Sequence, residues 1–118
     1  MLFRLLLRLS LAPSVDLTWQ APAQCPDEAA VNAQIDAFLE GSVVPEEEVR
    51  ADVEVIRERT EWVATLQLSI GGDSEVRELR DPACDLVATA SAFVIAAAVA
   101  ERVTAGPSAE SVAVGTGT

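Results

Sequence analysis

Histidine, lysine and tyrosine do not occur in this chain of 118 residues. With them go the commonest general base, the nucleophilic amine and the nitrogen ligands of metal centres. Classical catalytic triads and zinc sites therefore cannot be assembled from this chain alone. The 8 cationic residues are all arginines, set against 19 acids, for a formal charge of −11. A chain so charged repels phosphate backbones and anionic lipid surfaces, so nucleic acid is not an expected partner. The two cysteines form no C-x-x-C pair, the spacing a redox couple would want. No motif implies a cofactor or a metal.

What the chain does have is hydrophobic residues. They make up half of it, too many for a disordered composition and enough for one domain with a modest core. The apolar stretch of residues 86–100 organises the rest. It is rich in Ala and Val, lacks Gly and Pro, and lies between Asp85 and Glu101, which predicts a helix. Asp81-Pro82 reads as an N-cap followed by proline at the first helical position, and Gly106-Pro107 as the stop. Leu86, Ala90, Phe93, Ala97 and Ala100 line one predicted face, and Val87, Val94, Ile95 and Val99 make the remainder apolar. Such a helix belongs either deep in a core or in a membrane. A span needs about 20 apolar residues, whereas this run is shorter and contains Thr89 and Ser91. A core helix packed on a sheet through its alanines is expected, with no transmembrane helix in the mature domain.

The remaining elements follow from periodicity. Residues 1–14 resemble a short secretory signal, with Arg4, an apolar run interrupted by Arg8, and Ala12-Pro13-Ser14 as a cleavage site. The competing reading is an amphipathic N-terminal helix, which would leave the protein cytoplasmic. Val15 to Gln20 alternate as a half-buried strand with Trp19 on the apolar side. Cys25-Pro26-Asp27-Glu28 opens a first helix, with Val31, Ile35, Phe38 and Leu39 on one face and Gly41 at its end. The acidic run Glu46-Glu47-Glu48 lacks the spacing of a calcium loop and reads as solvated. Strands are predicted from Val49 to Val55 and from Glu61 to Ile70. Gly71-Gly72-Asp73-Ser74 is a hairpin turn into a charged edge strand from Glu75 to Arg80. Residues 15–106 form the single domain, and 107–118 a small polar tail expected to be disordered.

Cys25 and Cys84 each stand at the start of a predicted helix. If those helices lie side by side, their N-termini meet and a disulfide can form, as an even cysteine count favours in an exported chain. Two reduced core cysteines are the alternative in a cytosolic setting. The order of these features resembles a family of exported domains found in envelope proteins of myxobacterial type. The features are a signal-like start, Trp19, Ala21-Pro22, Cys25-Pro26-Asp27, arginine-bearing strands with Trp62, and Cys84 opening an Ala/Val-rich helix. The resemblance spans residues 15–102. It implies a disulfide-stapled periplasmic or surface domain and carries no activity.

The expected fold is α+β, a two-layer sandwich in the order strand, helix, three-strand antiparallel meander, helix, with both helices on one sheet face. Where the first strand inserts stays open. The other face, with Arg50, Asp52, Glu54, Glu61, Thr65 and Gln67, is left to water. The expected function is a non-catalytic, periplasmic or secreted interaction or structural module. That polar face, or the edge strand, would meet an envelope protein. The alternatives are a small-molecule-binding domain, which would need a cavity between helices and sheet, and a hydrolase working through two carboxylates.

Overall fold

The computed structural model describes residues 15–42 and 45–105. The signal-like segment, the polar tail and two residues of the acidic loop lie outside them. Strand β1 (Asp16–Gln20) leads into helix α1 (Glu28–Leu39). Strands β2 (Val49–Glu58), β3 (Glu61–Ile70) and β4 (Asp73–Asp81) follow, and helix α2 (Cys84–Ala105) comes last. The strands form one sheet in the order β1-β2-β3-β4. β2, β3 and β4 are the antiparallel meander, while β1 pairs parallel with β2. A parallel pair needs a crossover connection, and α1 supplies it. The architecture is the expected α+β, and β1 takes the edge beside β2.

Alternation sorts the side chains. Leu17 and Trp19 of β1, Val49, Ala51, Val53 and Val55 of β2, and Ala64, Leu66 and Leu68 of β3 are buried on the face that the helices cover. From α1 come Val31, Ile35 and Leu39. Each end of α1 has a local cause. The Asp27 carboxylate accepts the Ala30 N–H at 2.9 Å, an N-cap. At the other end Gly41 takes φ +80°, a conformation that costs glycine least.

Helix α2 departs from the expected pattern. Its buried stripe is Val87, Ala88, Ser91, Ala92, Ile95, Ala96 and Val99, whereas Leu86 and Phe93 are 55% and 56% exposed. One helix on one sheet covers a single stripe, and the other side of α2 is left outward although it too is apolar. Phe93 instead meets Phe38 of α1, which is also exposed, edge to face at 5.6 Å. Ser91 is fully buried and donates its hydroxyl to the Val87 carbonyl at 2.7 Å, so it leaves no unpaired group in the core. By length and composition the stretch Cys84–Val103 could also cross a membrane. The helix begins later than expected because Asp81 and Pro82 belong to the end of β4 and its exit. The Asp81 carboxylate still accepts the Ala83 N–H at 2.8 Å.

Candidate interaction surface

The helix-free face of the sheet is built from the outward residues of all four strands. The register places them in rows: Asp16, Arg50, Ser69 and Ser74; then Thr18, Asp52, Gln67 and Val76; then Gln20, Glu54, Thr65 and Glu78. A further row holds Ile56, Val63 and Arg80, and Glu58 faces Glu61 at the hairpin end. The six residues singled out from sequence, Arg50, Asp52, Glu54, Glu61, Thr65 and Gln67, therefore share one face. Thr18, Gln20, Asp52, Glu54, Thr65 and Gln67 line a shallow open depression at its centre. Val63, expected among mostly polar outward positions, is buried there although it points away from the core.

Charges on this face are organised in clusters. Glu58 and Glu61 stand directly opposite each other, an unfavourable like-charge pair. Arg80 relieves it, with Nη1 at 3.0 Å from Glu58 and 3.6 Å from Glu61, and Nη2 at 3.3 Å from Glu78. The hydrogen bond to Glu58, with Glu78 nearby, holds the guanidinium above its usual pKa. Glu58, Glu61 and Arg80 line a second open depression with Arg59, Thr60 and Pro82. A guanidinium hydrogen-bonded to Glu58 and ion-paired with Glu61 makes this cluster a cross-strand clasp. Arg50 lies 3.8 Å from Asp16 and 4.0 Å from Glu48. Among the described residues no group of three or more His, Cys, Asp or Glu could hold a metal ion.

Two contacts close the ends of the sandwich. At the end bearing the β2–β3 hairpin, Cys25 and Cys84 form a disulfide, with Cα atoms 5.4 Å apart. The two helix starts do meet there. Next to it the Trp19 indole N–H donates to the Pro26 carbonyl at 2.8 Å, and the Trp19 amide donates to Glu28 at 3.2 Å. At the opposite end Arg102, near the C-terminus of α2, donates to both Glu47 oxygens at 2.7 and 2.6 Å and to Asp73 at 2.6 Å. Arg102 holds the Glu47 carboxyl below its ordinary value and is itself raised by Glu47 and Asp73. Sequence reading took Glu47 for a solvated loop acid. The signal that could have found this contact was Arg102, a cation in the last turn of a long helix.

The edges of the sheet differ as well. β1 is short, and Glu28 occupies the outward amide of Trp19. β4 is longer, almost wholly exposed, and pairs with β3 on one side; among the described residues no strand pairs with its other side.

These features define a small α+β domain with a polar, strongly charged sheet face and an open strand edge. No protein-family model matches the chain, and no curated protein does. A solved structure similar to it is the crystal structure of the N-terminal domain of Thermus thermophilus Protein Y. The two share 13% identity and a TM-score of 0.53, over 73% of this chain and 93% of that one. The likeness is one of fold.

Proposed function

We propose that this is a non-catalytic, exported interaction module of the cell envelope, which meets a protein partner through the helix-free face of its sheet. The observation that carries the reading is the composition of that face. Its acids Asp16, Asp52, Glu54, Glu58, Glu61 and Glu78 outnumber the cations Arg50 and Arg80. A complementary partner is basic at the contact, and opposite potentials speed and orient the encounter. Support for export comes from the signal-like residues 1–14 and from the Cys25–Cys84 bond, a kind of bond that persists in oxidising compartments. The resemblance carried by Cys25-Pro26-Asp27 and Cys84 points the same way.

Two measurements test this. The first is the intact mass of the protein from its native cells, before and after reduction. A chain starting near Val15 that gains about two daltons on reduction supports export; a full-length chain with free thiols refutes it. The second is photo-crosslinking in those cells from Thr65 on the open face and from Asp36 on α1. A protein captured from Thr65, not from Asp36, and lost in a Glu54→Arg, Glu61→Arg variant supports the assignment. Equal capture from both positions refutes it.

A further inference from the structure

We propose that the outer edge of β4 pairs with the β4 edge of a second copy of this chain, joining two sheets into one continuous eight-stranded sheet about a two-fold axis at Val76. The proposal is independent of partner docking on the open face.

The argument begins with the contrast between the two edges. A free strand edge presents unpaired N–H and C=O groups and is a template for another strand. On β1 an outward amide is already taken by Glu28. Among the described residues β4 has no such cover, and its nine residues are flanked by the tight Gly71-Gly72 turn and the exit to α2. On its helix side β4 meets α2 at Leu79, packed against the core, and at Asp73, bonded by Arg102, while Glu75 and Arg77 between them are exposed, so the middle of this edge is uncovered. On the open side Val76 is 65% exposed, the most exposed of the large hydrophobic residues among those described.

Charge then selects the register. A two-fold axis normal to the sheet pairs residues symmetrically about one central residue, and directly opposite side chains interact while like charges repel. Centring on Glu75, Arg77 or Glu78 places that charge against its own copy. Centring on Ser74 opposes Glu75 to Asp73. Centring on Leu79 opposes unlike charges, but the overlap ends at residues 77–81, because the chain leaves the sheet at Asp81 and Pro82 has no N–H to donate. Centring on Val76 overlaps residues 73–79. It sets Val76 against Val76, Glu75 against Arg77 of the second copy, and Arg77 against the second copy's Glu75. Within one chain Glu75 and Arg77 already lie 3.0 Å apart. At the axis two such pairs meet with alternating signs, so the edge is self-complementary in charge and in its single exposed apolar residue.

The test uses the purified, disulfide-bonded protein in sedimentation-velocity runs over a wide concentration range. A reversible dimer is expected. Arg77→Glu should weaken its association at least about tenfold, and the swap Glu75→Arg, Arg77→Glu should restore it. In a separate variant, Val76→Cys should oxidise readily to a covalent dimer, because directly opposite residues have Cα atoms about 4.5–5.5 Å apart, within disulfide reach. Thr65→Cys, away from the axis, should not. A protein that stays monomeric at every concentration overturns the proposal. So does a dimer indifferent to Arg77→Glu, or one that the charge swap fails to rescue while circular dichroism shows it folded.

Discussion

The two ends of this sandwich are closed by different chemistry. At the hairpin end a covalent bond joins the start of α1 to the start of α2. At the other end an ionic clasp runs from Arg102 on α2 to Glu47 before β2 and Asp73 at the start of β4. The covalent end constrains the unfolded chain as well as the folded one, and it answers to redox conditions rather than to pH. The ionic end exists only in the folded state and answers to pH and salt. Both ends hold the same helix. A long apolar helix with one packed stripe and a half-exposed outer face is thereby pinned to the sheet at each terminus.

The largest perturbation strikes both ends at once. Ala92→Arg buries a charge at a fully buried position of α2 between the two closures. An unpaired buried charge costs more than a small domain's stability of about 5–15 kcal/mol tolerates comfortably. No cooperative thermal transition is expected; a folded variant with a native circular dichroism spectrum would contradict the packing.

Next comes the covalent end alone. A bridge across 59 residues stabilises by about 4 kcal/mol in the chain-entropy model. Cys84→Ser should therefore lower Tm by on the order of 20 °C in oxidising buffer. Reductant added to the parent should reproduce the loss and should leave the variant unchanged. If reductant leaves the parent's Tm intact while the variant is destabilised, packing of Cys84, not the bond, holds that end.

The ionic end is probed twice. Gly71 has φ +62°, and a Cβ there would lie 2.5 Å from a Glu47 oxygen. Gly71→Ala should cost about 1–3 kcal/mol, read from denaturant melts. Part of that cost should vanish in an Arg102→Gln background, where Glu47 is free to move; an unchanged cost would show backbone strain acting alone. The smallest effect is Arg102→Gln by itself, a drop in Tm of a few degrees near neutral pH. Its pH dependence identifies the cause. The folded Glu47 carboxyl is held below its ordinary value of 4.5, so the stabilisation is present above that value and is lost as pH falls through the lower, folded one. The gap between parent and variant should close on acidification. A gap independent of pH would assign Arg102 a packing role.

Much of the architecture was legible in the chain. Period-two alternation from Val49 to Val55 and from Trp62 to Ile70, with Gly71-Gly72 as the turn into the next strand, specifies a meander. The same alternation assigned Arg50, Asp52, Glu54, Glu61, Thr65 and Gln67 to one face. Less was legible where a pattern is degenerate. Residues 86–100 are apolar in every direction, so their periodicity could not say which stripe meets the sheet or that Leu86 and Phe93 stay exposed. Tertiary packing decided it: the stripe of Val87, Ala88, Ala92, Ile95, Ala96 and Val99 meets the sheet, and the long side chains of Leu86 and Phe93 turn outward. Within the acidic run Glu46 and Glu48 are exposed as read, but Glu47 was missed for another reason, since its partner lies 55 residues away.

The sequence by itself determined the element order, the hairpins, the polarity of the open face and the absence of histidine- or lysine-based chemistry. These depend on neighbours a few residues apart, or on composition alone. Only the tertiary structure decided that β1 joins the sheet parallel to β2, that Cys25 meets Cys84, and that Arg102 reaches Glu47 and Asp73. Each of these joins residues distant in the chain. Their meeting is set by how the layers stack and cover one another, which local periodicity does not encode.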